Sequence, residues 1–368
     1  MGKEYFISVD SGTQSTRAIA YDMDGNPAAV NRRKIGIMSP KKGWAEQDPC
    51  DWWKALCEVL ADITGVLDPK SIAGLGIAYQ RETFAVFDGK GHPLRPAILW
   101  YDQRAVREVR EMKAEVGEEQ FRRITGKFID TTPSVVKLRW MAKNEPDIYG
   151  SINKVLDVGS YLNWKLTGEM AGPVAGADTL GILDIEARGW SEDMLDYLKL
   201  AGSSMYELVS SGQVAGKLTR DAAGCTGLPE GLPVVACGGD GQVFAIGASS
   251  IENHRMALNL GTGITLGMHS WENHGSPYYR TMIGCLPRSF YCESVLRSGS
   301  ETVSWFVNNM GDGETERELD AKAGSIRPGC DGLITGPYWK GGMMPYSDPD
   351  ARGLTIGWSN YHTKAHFY

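Results

Sequence analysis

Apolar and polar positions along the chain predict strands and helices in alternation. A turn cluster followed by a return strand broken by proline is predicted at 88–96. Helical periodicity predicts helices at 51–67, 104–116 and 300–310. Apolar runs of strand length occur at 5–9, 17–21, 74–79, 84–87, 233–237, 256–260 and 264–268. The mixture of both element types indicates an α/β protein.

The first two predicted strands enclose a turn with more polar groups than a hairpin needs. Residues 6–22 are FISVDSGTQSTRAIAYD, with Asp10 at the end of the first strand. An ordinary hairpin turn requires only Gly, Asn or Asp. The additional groups can offer backbone N–H and hydroxyls to a phosphate, with the carboxylate placed to hold a metal. A polar hairpin without any ligand is the alternative for this stretch.

A second strand–turn–strand segment lies about 250 residues later. Residues 256–270, MALNLGTGITLGMHS, again place a Gly-Thr-Gly turn between two apolar strands. Two such hairpins, one opening each half of the chain, suggest a duplicated fold whose turns face each other across a cleft and hold a polyphosphate. Chance resemblance between two glycine-containing hairpins is the alternative.

An aspartate follows the buried strand predicted at 233–237. The segment CGGDGQ (237–242) surrounds Asp240 with three glycines at the carboxyl end of that strand, where α/β proteins build active sites. Glycines allow a substrate to approach closely. The carboxylate can then accept a proton from a hydroxyl that attacks phosphorus. The alternative is that Asp240 caps the following helix.

Composition excludes several classes of function. The 368 residues suffice for two domains, and 42% hydrophobic with 23% charged residues is typical of a globular protein. The formal net charge of −7 argues against nucleic acid and anionic membranes as partners, and no segment is long enough to span a bilayer. Seven scattered cysteines, none in C-x-x-C spacing, predict reduced thiols and a cytoplasmic location.

Taken together, these stretches resemble the FGGY carbohydrate kinases, within the actin-like ATPase superfamily. DSGTQSTRA (10–18) resembles their first phosphate motif and LGTG (260–263) their second. The other matching motifs follow in the family's order: GWAEQDPCDWW (43–53), AYQRETFAVFD (78–88), PAILWYDQRA (96–105), TPSVVKLRWMAKN (132–144), SYLNWKLTG (160–168), CGGDGQ (237–242) and PYWKGGMMPYSDPDARG (337–353). The resemblance extends from one end of the chain to the other.

This resemblance implies a fold, a reaction and a set of site residues. The fold would be α/β, with two ribonuclease-H-like domains around a cleft, the second incomplete. Residues 1–245 would bind the sugar and 246–368 would form part of the nucleotide-binding domain. Asp240 would be the catalytic base, and Asp10 and Asp240 would hold Mg²⁺. ATP would contact Ser11, Gly12, Thr13, Gln14, Ser15, Arg17, Gly261, Thr262 and Gly263.

The segment Gln80-Arg81-Glu82-Thr83 bears on the substrate. It matches the QRET of glycerol kinases, whereas xylulokinases usually carry Gln-Met-His there. An arginine beside a carboxylate suits a polyol, because each hydroxyl both donates and accepts a hydrogen bond. The resemblance implies that the sugar contacts Gln80, Arg81, Glu82, Trp100, Asp102, Asp240 and Gln242. The alternative for Arg81 and Glu82 is a surface ion pair.

Two departures from glycerol kinases enlarge or change the expected pocket. Thr132 stands where those enzymes have an aromatic residue, and Gly241 stands where they tend to have Gln. We therefore expect a ketopentose such as xylulose or a linear polyol, with glycerol included but not preferred.

The chain ends at YHTKAHFY (361–368), where family members continue considerably further. This ending leaves two classes of function open. The first is an ATP-dependent sugar or polyol kinase, and the second is an inactive, truncated remnant that acts as a sugar-binding or interaction protein. A homodimer is a further expectation.

Overall fold

The protein is described by a computed structural model that covers residues 4–252, 254–261, 263–344, 348 and 350–368. Its strands are β1 Tyr5–Ser11, β2 Ser15–Tyr21, β3 Pro27–Lys34, β4 Glu46–Gln47, β5 Ile72–Tyr79, β6 Phe84–Phe87, β7 Ala97–Ile98, β8 Lys154–Asp157, β9 Ala171–Pro173, β10 Leu183–Asp184, β11 Gly189–Trp190, β12 Glu207–Val209, β13 Val214–Lys217, β14 Pro233–Gly239, β15 Ala257–Leu260, β16 Ile264–Ser270, β17 Arg280–Ile283, β18 Phe290–Leu296, β19 Ile334–Gly336 and β20 Leu354–Ile356.

Its helices are α1 Pro49–Thr64, α2 Val106–Glu115, α3 Glu118–Thr125, α4 Ser134–Asn144, α5 Pro146–Gly150, α6 Val158–Thr167, α7 Val174–Ala177, α8 Glu192–Leu198, α9 Arg220–Thr226, α10 Asp240–Gly247, α11 Ser300–Met310, α12 Glu316–Ala323 and α13 Lys364–Phe367. Short 3₁₀ turns lie at Pro69–Ser71, Asp178–Leu180, Gly202–Ser204 and Cys330–Gly332. Within these described ranges, no helix is both long and apolar enough to cross a membrane.

A six-stranded sheet, in the order β13-β14-β5-β1-β2-β3, forms the centre of the first part of the chain. Strands β1, β5 and β14 run parallel, and β2, β3 and β13 run antiparallel to their neighbours. Ser11 pairs with Tyr79, and Tyr79 pairs with Gly239 across the sheet. The three parallel strands therefore end at one edge, and Asp10, Gln80 and Asp240 lie at those ends.

Helix α1 is stabilised by a capped N-terminus and by a buried apolar face. Asp48 caps the helix by accepting a hydrogen bond from the Cys50 N–H, and Pro49 occupies the first turn, where it needs no hydrogen-bond acceptor. The face of α1 that is buried in the main core carries Trp52, Leu56, Val59, Leu60 and Ile63. Burial of side chains of this size stabilises the fold by about 1.5–3 kcal/mol each.

A second sheet, in the order β15-β16-β18-β17, is antiparallel throughout. Ile283 of β17 and Phe290 of β18 are buried in the main core with residues of the first sheet. Ala257, Met282 and Tyr291 form a smaller buried cluster with Ala245. The β17–β18 side of this sheet is therefore packed against the first part of the chain.

The strands and helices predicted from the apolar patterns are confirmed. Both hairpins form: β1 pairs with β2, and β15 pairs with β16. The helices predicted at 51–67, 104–116 and 300–310 correspond to α1, α2 and α11. At 88–96 the structure has a turn, after which Pro93 bridges back to Phe87.

Candidate functional site

The turn at residues 11–15 closes the first hairpin and presents backbone donors. The Gly12 N–H donates to the Ser15 carbonyl at 3.0 Å, which tightens the turn. The N–H groups of Thr13 and Gln14 donate to no acceptor within the described part of the chain. Two unpaired N–H groups at the tip of a turn are suited to an anion such as phosphate.

Ser11 lies differently from the prediction. Its side chain is fully buried, and its hydroxyl is 3.3 Å from the Thr16 hydroxyl, beneath the turn. The Ser11 hydroxyl is thus engaged within the protein. Ser15 accepts a hydrogen bond from Arg32 Nε at 2.8 Å, and the exposed Gln14 accepts one from the Ile35 N–H through its carbonyl.

Asp10 and Arg17 face each other across the first hairpin. They are paired residues of β1 and β2, and Arg17 Nη2 lies 3.4 Å from Asp10 Oδ2. Both side chains are about half exposed. Desolvation raises the pKa of Asp10, and the neighbouring Arg17 opposes this shift. Asp10 Oδ1 makes no hydrogen bond to any described residue and is open to a ligand.

Asp240 is the first residue of α10 and follows directly on β14. Gly239 occupies the N-cap position, and no side chain caps the helix, so the alternative of a capping role is not supported. Arg81 Nε lies 3.1 Å from Asp240 Oδ1, which also accepts the Gly241 N–H at 2.8 Å. Desolvation raises the pKa of Asp240 while Arg81 lowers it, and Asp10 is close enough to raise it further.

The glycines around Asp240 leave room for Arg81. A Cβ atom at Gly239 would lie 2.4 Å from Arg81 Cγ, and one at Gly241 would lie 2.8 Å from Arg81 Nη2. A Cβ atom at Gly238 would lie 2.7 Å from the Ala175 carbonyl oxygen. The segment GGDG therefore allows the arginine side chain to lie flat against the loop that carries the carboxylate.

Arg81 and Glu82 are buried in an ion-pair network, with only 9% and 4% of their surfaces exposed. Arg81 Nη2 lies 3.0 Å from Glu293 Oε1, and Arg280 Nη1 lies 2.7 Å from Glu82 Oε1. Arg280 Nε also donates to Glu293 Oε2 at 2.8 Å. The network, Glu82–Arg280–Glu293–Arg81–Asp240, alternates in charge along its whole length.

Neither Arg280 nor Glu293 was predicted from the sequence. The only sequence signal for Glu293 is that it is the single charge in the apolar strand SFYCESVL (289–296). Burial would raise its pKa, but Arg280 and Arg81 outweigh desolvation and hold the pKa below its ordinary value. Glu293 is therefore held as a carboxylate in the interior.

Glu82 adopts a left-handed backbone conformation, with φ of 57°. Its N–H donates to Thr179 Oγ1 at 3.3 Å, and its carbonyl accepts from the Ser134 hydroxyl at 2.9 Å. Such a conformation costs a non-glycine residue about 1–3 kcal/mol and occurs most often at functional sites. These contacts fix the backbone of Glu82, while Arg280 holds the carboxyl oxygen Oε1 and the other oxygen, Oε2, makes no hydrogen bond to the described residues.

Gln80 and Trp100, which are also predicted to bind the sugar, differ in their exposure: Gln80 is buried and Trp100 is partly exposed. The Gln80 amide donates to Gln47 Oε1 at 3.1 Å and accepts from the Thr83 hydroxyl at 3.1 Å. These bonds hold the loop at residues 80–83. Trp100 is partly exposed, and its Nε1–H donates to Thr13 Oγ1 at 3.1 Å. An indole ring beside the turn at residues 11–15 can form an apolar wall of the candidate site.

Asp102 is not placed as predicted. Its side chain is fully buried, and it accepts hydrogen bonds from Arg104 Nε at 2.8 Å and from the Ala45 N–H at 2.6 Å. Its two oxygens are thus engaged within the protein, where they hold the loop after β7.

Gln242 is also fully buried. Its amide nitrogen donates to Asp178 Oδ1 at 3.3 Å and to the Ile283 carbonyl at 3.1 Å. Both partners accept hydrogen bonds, so the amide oxygen must point the other way, and there it has no partner among the described residues. Gln242 joins α10 to β17, close beneath Asp240.

The second hairpin turn is formed at Gly261 and Gly263. The Gly261 N–H donates to the Gly263 carbonyl at 3.1 Å, and its own carbonyl accepts the Ser300 N–H at the start of α11. Thr262, which the sequence analysis places in the phosphate path, lies outside the described residues.

The carboxylates of Asp10 and Asp240 fit Mg²⁺. No cluster of three or more His, Cys, Asp or Glu side chains that could hold a metal occurs in the described ranges. Magnesium, however, is usually held by one or two carboxylates together with water and substrate phosphates. Asp10 and Asp240 interact electrostatically and each keeps an oxygen that no described residue occupies, so the residues present suit this ion.

The family model for the N-terminal domain of the FGGY family of carbohydrate kinases matches residues 5–247. Xylulose kinase of Escherichia coli is 29% identical over 359 residues, which cover 97% of this chain and 73% of that relative. A glycerol kinase of Alkalilimnicola ehrlichii is 28% identical, with 98% of this chain and 74% of the relative covered.

The crystal structure of xylulose kinase from Rhodospirillum rubrum superposes with a TM-score of 0.93 at 29% identity, over 99% of this chain and 75% of that structure. The predicted α/β fold class with two actin-like ATPase domains is thereby confirmed. The comparisons do not support the alternative of a non-catalytic remnant. The chain belongs to the FGGY family of carbohydrate kinases and is a kinase of sugars or polyols.

Proposed function

We propose that this protein transfers the γ-phosphate of ATP to a hydroxyl of a ketopentose or a linear polyol, glycerol included. The observation that carries the proposal is the contact of Arg81 with Asp240, 3.1 Å apart at the carboxyl edge of the first sheet. This contact joins a base to a residue that can orient a hydroxyl. A relative named xylulose kinase supports a ketopentose as substrate, and one named glycerol kinase supports a linear polyol.

Asp240 would accept the proton of the attacking hydroxyl. A general base must lie within hydrogen-bond reach of that proton. The Oδ2 atom of Asp240 makes no hydrogen bond to the described residues, so it can accept the proton. Glu82 Oε2 would accept a hydrogen bond from a neighbouring hydroxyl, while the N–H groups of Arg81 not used by Asp240 and Glu293 would donate. Trp100 would pack against the carbon chain of the sugar.

The hairpin turn at residues 11–15 would hold the ATP phosphates through the N–H groups of Thr13 and Gln14, with Gly12 leaving space for them. Arg17, Gly261, Thr262 and Gly263 remain in this proposal as further phosphate contacts. Asp10 and Asp240 would hold Mg²⁺, which neutralises the charge that develops on the transferred phosphoryl group.

The proposed division of labour places sugar recognition in residues 1–245 and nucleotide binding in 246–368. The N-terminal family model, which covers 5–247, supports it. A cytoplasmic location is part of the proposal and is supported by the seven cysteines, all of which are free. A homodimer is likewise proposed.

Calorimetry with glycerol, erythritol, xylitol, xylulose and ribulose, followed by an assay of sugar-dependent ADP release, tests the function. We expect heat and turnover with at least one member of this panel. Arg81→Ala should abolish both, because it leaves Asp240, Glu293 Oε1 and the sugar hydroxyls without their charged donor.

Glu145→Gln is the matched control, since Glu145 pairs with Arg95 at 2.8 Å in an ion pair outside the proposed site. It should keep wild-type sugar binding. Absence of both heat and ADP release with all five compounds, at high sugar concentration, would contradict the proposed substrate class.

A further inference from the structure

Arg280 and Glu293 form a cross-strand pair that reaches the proposed sugar residues. They lie opposite each other in β17 and β18, and both are buried. Glu293 accepts from Arg280 with one oxygen and contacts Arg81 with the other, at 3.0 Å. Arg280 in turn contacts Glu82 at 2.7 Å. Glu293 thus holds Arg81, and Arg280 holds Glu82.

We propose that Arg280 and Glu293 are positioning residues for sugar recognition, which hold Arg81 and Glu82 in the arrangement that meets the sugar hydroxyls. This inference rests on the proposed function, because it assumes that Arg81 and Glu82 contact the sugar. Arg280 and Glu293 act through that pair and themselves need not touch the substrate.

The contacts show why the pair needs this support. Glu82 and Asp240 are both carboxylates within reach of the single guanidinium of Arg81, whose pKa both of them raise. Without Glu293, the Nη2 atom of Arg81 would be free to turn toward Glu82 or Asp240. Its remaining N–H groups would then be consumed by protein carboxylates, and the sugar would lose its donor.

Arg280 has the corresponding role for Glu82. It engages Oε1 and leaves Oε2 without a partner in the described part of the chain. Arg280 also supplies the positive charge that opposes the effect of burial on the pKa of Glu82. A carboxylate with one oxygen fixed and the other open is an acceptor of defined direction, which is what a specific hydroxyl contact requires.

The burial of these charges favours a functional role over a stabilising one. Buried ion pairs rarely stabilise a fold more than well-packed apolar side chains of the same volume would. The five groups carry two positive and three negative charges, which leaves a net charge of −1 inside the cluster. This arrangement suits the orientation of a polar ligand better than it suits the stability of the core.

Gly241 is linked to the same contact. A Cβ atom there would lie 2.8 Å from Arg81 Nη2 and 3.1 Å from Glu293 Oε1, so any larger residue would press on the ion pair itself. The glycine that departs from the pattern of glycerol kinases thus leaves space beside the Arg81–Glu293 contact.

The strand that carries Arg280 is firmly anchored. The Thr281 N–H donates to the Gly126 carbonyl at 2.9 Å, and the Ile283 N–H donates to Asp178 Oδ2 at 3.0 Å. These bonds tie β17 to segments of the first 245 residues. Arg280 is therefore held in place before the sugar arrives.

The test measures sugar and ATP affinities of Glu293→Gln and Arg280→Met by calorimetry, with the panel sugar that the wild type binds most tightly as titrant. We expect sugar affinity to fall at least tenfold in each variant, while ATP affinity stays within about threefold. Glu145→Gln, which removes a carboxylate from another ion pair, should leave both affinities unchanged.

Because either variant can lose stability, Arg280→Lys and the thermal midpoint are measured in parallel. A lysine can pair with Glu82 or Glu293 but cannot bridge both, so a folded Arg280→Lys protein should show an intermediate loss of sugar affinity. Folded variants that bind the sugar like the wild type, with only a lowered thermal midpoint, would overturn the inference.

A double-mutant cycle separates this inference from the proposed function. In an Arg81→Met background, Glu293→Gln should change sugar affinity less than twofold, because its effect passes through Arg81. A further tenfold loss there would overturn the inference. If Arg81→Met alone leaves sugar binding unchanged, the proposed role of Arg81 fails instead.

Discussion

The indole N–H of Trp100 donates to the Thr13 hydroxyl at 3.1 Å, joining the proposed wall of the sugar site to the proposed phosphate turn. The hydroxyl of Thr83 accepts the Trp100 N–H at 3.1 Å, so the same residue is also fixed to the loop that carries Arg81 and Glu82. Trp100 therefore contacts both segments, the turn through its side chain and the loop through its backbone N–H.

Trp100→Phe tests this connection. Loss of one hydrogen bond costs about 1 kcal/mol, or roughly fivefold in affinity. We expect KM for both the sugar and ATP to rise by about that factor, because the ring loses its tie to the turn. Thr13→Val should have a similar effect, and the double variant should be no worse than either single one.

Trp190→Phe is the control for this experiment, since Trp190 Nε1–H donates to the Tyr206 carbonyl at 2.9 Å in another part of the chain. It should leave both KM values unchanged. An effect of Trp100→Phe on the sugar alone would show that the two sites are not coupled through this bond.

Asp240→Asn should remove the base and spare the binding site. General-base catalysis contributes typically 10²–10⁴-fold, so we expect kcat to fall by about 10³-fold while the sugar dissociation constant changes only a few-fold. Steady-state kinetics together with calorimetry would measure both quantities. The exposed residue Asp221 of α9 provides a matched Asp→Asn control. Near-native turnover of the Asp240 variant would show that another group accepts the proton.

Local sequence patterns were sufficient to predict much of the fold. Apolar runs ending in Asp10, Gln80 and Asp240 predicted the strands that converge at the site edge, because a buried strand needs a continuous apolar segment. Strand β3, Pro27–Lys34, is one of several strands that were not predicted. It is an edge strand whose residues are largely exposed, and its apolar run of Ala28, Ala29 and Val30 is too short to predict a strand.

Partners of the site residues were harder to predict from the sequence. Glu82 and Arg280 are 198 residues apart, and only the docking of β17 on the first part of the chain brings them together. Asp102 was assigned to the sugar because it lies in a motif of the family, yet its oxygens are engaged by Arg104 and the Ala45 N–H. The motif alone did not specify which of its polar groups remain free.

Gly12→Val tests the phosphate turn. A Cβ atom at Gly12 would lie 3.6 Å from the Ser15 carbonyl oxygen and 3.8 Å from Asp10 Oδ1, which are ordinary contacts. The first carbon can therefore be accommodated, and the branched side chain would project where phosphates are proposed to lie. We expect KM for ATP to rise at least tenfold, with sugar affinity and the thermal midpoint nearly unchanged.

Gly36→Val is a suitable control, because a Cβ atom at Gly36 meets nothing within 4 Å. It should keep the wild-type KM for ATP. If Gly12→Val also keeps it, the turn at residues 11–15 is not part of the phosphate path.

Lys137 joins Trp100, which belongs to the proposed sugar site, to Thr132. Its ammonium group is buried and donates to the Trp100 carbonyl at 3.0 Å and to the Thr132 carbonyl at 2.7 Å. Lys137→Met would leave two carbonyl groups without a donor, at about 1–3 kcal/mol each. We expect the free energy of unfolding at pH 7 to fall by about 2–6 kcal/mol, as measured by urea denaturation.

The lowered pKa of Lys137 predicts how the free energy of unfolding depends on pH. Burial lowers the pKa of Lys137 from 10.5 to about 8, so between these values the unfolded chain holds a proton that the folded protein has released. Stability rises with pH wherever the unfolded state binds more protons. The wild type should therefore gain stability relative to Lys137→Met between pH 8 and 10, at up to about 1.4 kcal/mol per pH unit. Lys217→Met, at an exposed position of β13, serves as the control. A wild-type advantage over Lys137→Met that shrinks as the pH rises would mean that the ammonium form of Lys137 is favoured in the folded protein.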